Sequence, residues 1–350
     1  LKLPVFSDIY LLVAFWTGIT ALFLTLILAA EIVWLRYKLR RRQRSEQRTI
    51  GRWRPVMAAA SVGVQTDPLP NLRSWDYLPY LKLWTHLQAS MRGEAAEGLN
   101  TLARRMQADA IARKLFRKGN RAEGLLANLV AGYLRDAEAW PHLVRRIDSR
   151  DGTESIYAAW AMIQINPAQA APLLIPAAIG RDDWPMSKLV LIMQDGGNAV
   201  MTPFVEALDH LGGAGLQRAL RIAEGLRVYL HMELHERLLD SDDIDIVISA
   251  LRVPVPPNLL PRIRALAAHA DWRIRLHAAR TLGSIGELSD VELLKGLLSD
   301  RQWWVRYRAA EALSALPFLT VEQLRALGDA CSDPYAGSMV RQVLAKGALN

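Results

Sequence analysis

Apolar residues recur at intervals of three and four along nearly the whole chain, and the two places where this rhythm changes set its organisation. The first is an excess. From Ile9 to Ala30 the residues read IYLLVAFWTGITALFLTLILAA, without a charge. At 1.5 Å per helical residue this stretch reaches about 33 Å, enough to cross a hydrocarbon core of about 30 Å. The second is a lapse from Gly51 to Pro79, where Pro55, Pro68, Pro70 and Pro79 interrupt any sustained period and predict a linker. Its aromatic end, Trp75, Tyr77, Tyr80 and Trp84, is expected to pack on the first helices or a partner.

Beyond Leu81 helical spacing returns through Leu83, Leu87, Leu99, Leu102 and Met106, then over 110–116, 125–134 and 139–147. Turn formers at Gly93, 118–120 and 148–152 separate these runs. The predicted fold is all-α: a transmembrane anchor at 1–35, a basic juxtamembrane segment at 36–54, a Pro-containing linker at 55–80, and a helical repeat domain at 81–350. A cleavable leader is the competing reading of residues 1–30. Against it stand the length of the apolar run, the lack of a small-x-small pattern at Leu28 and Ala30, and positive charge that follows the run.

The clearest internal repeat lies near the end. Ile274, Arg275, Ala278, Ala279 and Leu282 return as Val305, Arg306, Ala309, Ala310 and Leu313, each displaced by 31 residues. Ser289 with Glu292 and Thr320 with Gln323 repeat a capping-box pattern at the same displacement. On these residues the chain resembles the HEAT-repeat family, in which an aspartate in the turn precedes Val-Arg, paired alanines and a leucine. The resemblance implies an α-solenoid of antiparallel helix pairs, with an aspartate–arginine ladder carried by Asp300 and Arg306, and with Asp271 and Arg275 matching it across a turn shortened by two residues. Upstream the motif fades, since Ala158, Ala159 and Met162 keep the spacing while Glu154 and Ser155 replace the Val-Arg pair. Five or six repeats are counted from about Glu94, with end caps near Leu81 and Val340.

Charge sharpens this picture. Arg36, Lys38, Arg40, Arg41, Arg42, Arg44, Arg48, Arg52 and Arg54 stand against Glu46 alone, so this one segment equals the formal net charge of +8 of the whole chain. The remainder is close to neutral, which argues against a nucleic-acid partner. Positive flanks stay on the cytoplasmic side, so the N-terminus is expected outside and the repeat domain in the cytoplasm. Arg36, Lys38, Arg40, Arg41, Arg42 and Arg44 are the candidate contacts to anionic lipid headgroups. Ala14 and Gly18 form a small-x-x-x-small pair at which another membrane helix can approach. The single cysteine, Cys331, allows no internal disulfide.

No phosphate-binding glycine loop, nucleophile elbow, zinc-cysteine cluster or HExxH signature is present, so neither catalysis nor a cofactor is expected. His231, Glu233 and His235 offer two histidines four apart but no third ligand, and Asp240, Asp242, Asp243 and Asp245 read as helix caps. The most informative residues are Trp184, Trp272, Trp303 and Trp304, each following aspartate at an inter-helix turn and flanked by Arg181, Arg273 and Arg301. Aligned along one edge they would form a partner-binding row. Trp303 and Trp304 are the best candidates, because adjacent helical positions do not face one core.

The expected function is that of a non-catalytic membrane scaffold or regulatory subunit that binds a protein partner. The layout resembles bacterial single-pass HEAT-repeat proteins of envelope and exopolysaccharide assemblies, which implies an integral membrane glycosyltransferase as partner. A solenoid enzyme or small-molecule binder resembling HEAT-like lyases, and an anionic-lipid surface binder, are the alternatives.

Overall fold

The computed structural model describes residues 9–64, 66–330 and 334–347, without the side chains of residues 9–12, 14, 38, 39, 41, 42, 334 and 347. No strand occurs among the described residues. The chain divides into two compact units, Leu1–Ala139 and Trp140–Asn350.

The first unit contains α1 (Ile9–Ser61), α2 (Tyr77–Ser90), α3 (Glu94–Arg105), α4 (Ala108–Lys118) and α5 (Arg121–Leu134). Helix α1 differs most from expectation. It does not give way to a linker at Pro55 but runs on to Ser61, 53 residues in all. Its last turns bury Trp53, Val56 and Met57 against α2 and α3. The Trp53 ring meets Tyr80 edge-on at 4.8 Å, and the buried Thr49 hydroxyl donates to Asp76 Oδ1 at 2.6 Å.

Magnitudes explain why proline fails to stop this helix. An interior proline costs about 3 kcal/mol, whereas burying three large apolar side chains contributes about 1.5–3 kcal/mol each. Pro55 itself lies on the exposed face. Contact with α3 is close enough that a Cβ on Gly98 would strike the Ala60 carbonyl. The expected linker therefore shrinks to the stretch between Ser61 and the start of the next helical turn at Ser74.

The second unit contains α6 (Trp140–Ile147), α7 (Gly152–Ile165), α8 (Pro167–Gly180), α9 (Met186–Asp195), α10 (Asn198–Leu208), α11 (Gly213–Leu226), α12 (Met232–Leu239), α13 (Ile244–Arg252), α14 (Leu260–Leu266), α15 (Trp272–Ile285), α16 (Val291–Leu297), α17 (Trp303–Ala315), α18 (Val321–Asp329) and α19 (Pro334–Gly347). Helices α7, α9, α11, α13, α15, α17 and α19 stack side by side in one row. The others cover that row, with clear pairs at α12/α13, α14/α15, α16/α17 and α18/α19.

Small residues make the row tight. Ala278, Ala279, Ala309 and Ala310 are buried between α15 and α17, and a Cβ on Gly283 would fall 2.7 Å from the Ala312 Cα. Helix starts are held by their caps: Asp151, Asp243 and Asp271 accept from the first-turn amides of α7, α13 and α15. Thr320 and Gln323 form the expected capping box. Ser289 and Glu292 do not, because a short turn of helix precedes α16 and Glu287 with Asp290 forms the box two residues earlier.

Candidate functional site

The four turn tryptophans do not share one fate. Trp184 is buried at 2% exposure, with the Arg181 guanidinium 5.6 Å from its ring centre. Arg181 also donates to the Ser149 carbonyl at 2.8 Å and pairs with Asp183 at 2.7 Å. The Trp184 ring is part of the core although Asp182, Asp183 and Pro185 around it are exposed, so it does not join a partner-binding row. Trp272 is half-buried at the first position of α15. Its neighbour Arg273 is held by Asp271 at 3.0 Å and by Asp245 at 3.4 Å, which satisfies it within the chain.

Trp303 and Trp304 remain open, at 37% and 56% exposure. Their rings meet edge-on at 4.7 Å, and Trp303 stacks on Tyr307 at 5.2 Å with only 9° between planes. The stack follows from helix geometry, since residues four apart lie on one face. Lys346 from α19 donates to the Tyr307 hydroxyl at 3.0 Å and lies 3.6 Å from Glu311. Both contacts raise the Lys346 pKa, the Tyr307 bond most. Arg306 lies 5.6 Å from the Tyr335 ring centre, and Tyr335 is itself 63% exposed. Arg301 is exposed beside them. The surface is thus a cation-edged aromatic platform on α17 and α19. Tyr307 was legible as the residue four beyond Trp303; Tyr335 and Lys346 come from the following pair and had no local signal.

The aspartate–arginine ladder is displaced by one repeat from its expected position. Arg275 Nε and Nη2 donate to the Asp300 carboxylate at 2.7 and 3.0 Å. Arg306 donates instead to the Asp300 main-chain carbonyl at 2.8 Å. The carboxylate faces the preceding helix of the row, where Arg275 reaches it. The Arg275 bond holds Asp300 below the usual carboxylate range despite its burial.

The histidines are structural. His231 pairs with Asp209 at 2.7 Å. His235 is fully buried and its Nε2 meets the Ala250 carbonyl at 3.0 Å, so Nε2 carries the proton. No group of metal-binding side chains occurs among the described residues.

At the other end, Phe15–Tyr37 is long and apolar enough to cross a membrane, and none of it is buried within the protein. Gly18 faces open space; the side chain of Ala14 lies outside the described residues, as do those of Lys38, Arg41 and Arg42. Arg36, Arg40 and Arg44 are exposed.

Two overlapping stretches, residues 234–314 and 259–347, match the family of HEAT repeats. These HEAT repeats coincide with the four clear helix pairs from α12 to α19. The crystal structure of an engineered protein aligns over 83% of this chain and 88% of its own, at 15% identity and a TM-score of 0.34, too distant to carry an argument. No protein of curated function matches the chain. A helical repeat scaffold of the kind that mediates protein interaction is therefore the supported reading of the fold.

Proposed function

We propose that this protein is a non-catalytic, membrane-anchored scaffold or regulatory subunit that holds a protein partner at the bacterial inner membrane. One observation carries the reading: a 23-residue apolar helical stretch with no burial in the protein runs without a break into the packed core of the first unit, to which α1 itself belongs. A helix this apolar is stable in a bilayer and costly in water. The arginines beyond its end support an outside N-terminus and cytoplasmic HEAT-like repeats. They also favour attraction to anionic headgroups, which supports the anchor and does not replace it.

The partner docks on the platform of Trp303, Trp304 and Tyr307, since exposed tryptophan and tyrosine beside cations are the residues that dominate protein interfaces. The layout's resemblance to exopolysaccharide-assembly proteins makes an integral membrane glycosyltransferase the client to test first. Gentle detergent extraction of the full chain, with mass spectrometry of what co-purifies, is the test. A membrane enzyme is expected with the natural chain and at least tenfold less with a Trp303→Ala, Trp304→Ala variant. A partnerless protein that retains a lipid or small molecule overturns the reading.

A further inference from the structure

The second unit carries a groove of about 810 Å³ across the last turns of α11, α13 and α15, well away in sequence from the tryptophan platform. Arg221 lines it from within α11 and Arg227 from the residue just past that helix, Arg252 from the end of α13 and Arg280 from α15. Glu224 is the only acidic residue of its lining, and it is taken by Arg252 at 2.9 Å. Arg221, Arg227 and Arg280 are exposed, and no carboxylate among the described residues pairs with them. This concentration is local, because residues 140–350 as a whole hold 22 Lys and Arg against 24 Asp and Glu.

Helix ends account for Arg227 and Arg252 but not for the other two. Attraction of cations to a helix C-terminus fades beyond the last turn, yet Arg221 and Arg280 each lie five residues before the end of their helix. The field has an internal witness. His277 is pushed down to about 4 by burial and then by Arg252, Arg280 and Arg308 from three neighbouring helices.

Leu251, Val253 and Val255 line the groove between the arginines as nearly buried apolar residues, beside Thr281 and Ser284, and Tyr229 lines it at 62% exposure. Neighbouring packed helices lie about 8–10 Å apart, so the axes of α11 and α15, with α13 between them in the row, are separated by about 16–20 Å. No single phosphate spans that distance. An extended peptide does, at about 3.3 Å per residue, with five or six residues.

We infer that this groove docks an acidic peptide segment of a protein partner, with carboxylates on the arginines and intervening apolar side chains on the apolar lining between them. Arginine suits this role because its planar fork binds carboxylate through two hydrogen bonds. The inference is independent of the tryptophan platform.

The test uses the full chain in nanodiscs of zwitterionic lipid and a fluorescein-labelled twelve-residue peptide of alternating glutamate and leucine, read by anisotropy. Binding is expected with the natural chain and at least tenfold weaker with Arg221→Glu, Arg227→Glu, Arg280→Glu together. Trp303→Ala with Trp304→Ala leaves it unchanged, which separates this groove from the platform. Arg48→Gln, Arg52→Gln and Arg54→Gln together are expected to leave it unchanged as well. If the triple reversal does not fold, Arg280→Gln alone is expected to weaken binding about threefold by removing one exposed ion pair. Absence of binding, insensitivity to the groove variants, or loss with the juxtamembrane variants instead overturns the inference. So does a natural chain that ignores the peptide and binds poly-uridylate or a sulphated glycan through the same arginines.

Discussion

At the scale of single residues, position along the row decides what a motif residue does. Asp300 and Arg306 stand in one motif, but the Asp300 carboxylate belongs to Arg275 of the preceding repeat. With side-chain exposures of 8% and 16%, this pair is shielded enough to matter. Asp300→Ala is expected to cost about 2–4 kcal/mol, because it leaves a half-buried guanidinium without its carboxylate. A double-mutant cycle between Arg275 and Asp300 should yield a coupling of about 1–3 kcal/mol. The cycle between Arg306 and Asp300 should yield less than about 0.5 kcal/mol, since Arg306 binds a main-chain carbonyl that survives the substitution. Chemical denaturation of the full chain in detergent measures both, and a larger Arg306 coupling would return the ladder to its sequence register.

At the scale of elements, α1 changes from an anchor with a tether into one rod. Thr49 lies twelve residues past Tyr37, about 18 Å along the helix, and there the core of the first unit begins. The unit is held at a fixed distance from the apolar stretch. Four glycines inserted after Arg44 are expected to replace that fixed distance by a flexible spread of about 10–12 Å. Distance measurements between a label on α3 and the bilayer surface of a nanodisc check this. A natural chain already as broad as the insertion variant would refute the rod.

The same scale explains what the sequence made legible. Ala278, Ala279, Ala309 and Ala310 announced the close stacking of α15 on α17, because only small side chains permit it. The end of α1 was hidden by Pro55 and by a run of small residues with no polar face. Its helical face, Thr49, Trp53, Val56, Met57 and Ala60, emerges only when α2 and α3 are known to cover it. The tryptophans were ambiguous for a related reason. An aspartate followed by tryptophan marks a turn, but whether the ring is core, as at Trp184, or surface, as at Trp304, is set by helices remote in sequence. The arginine groove left no local signal at all, since its cations come from three helices spread over residues 221–280.

At the scale of the whole molecule, charge is segregated: residues 1–139 hold 21 Lys and Arg against 11 Asp and Glu, and residues 140–350 have a slight acidic excess. The straight course of α1 divides the basic segment further. For a helix leaving the bilayer along its normal, Arg44 stands about 10 Å past Tyr37 while Arg48, Arg52 and Arg54 stand about 16–26 Å past it. A surface potential fades over about 8 Å at physiological salt. Only Arg36 to Arg44 are therefore close enough to act on headgroups, at about 1 kcal/mol each. Those residues also lie at the position where positive charge sets orientation. Replacing Arg36, Arg40, Arg41, Arg42 and Arg44 by glutamine is expected to divide the population between both orientations, read by a reporter fused at either end. The same exchange at Arg48, Arg52 and Arg54 should shift orientation less, because these three lie in the outer part of the stretch of about 15–20 residues past the membrane helix over which positive charge counts. Equal effects from the two sets would mean that α1 bends back along the membrane surface, bringing its distal arginines to the headgroups and the docked core of the first unit with them.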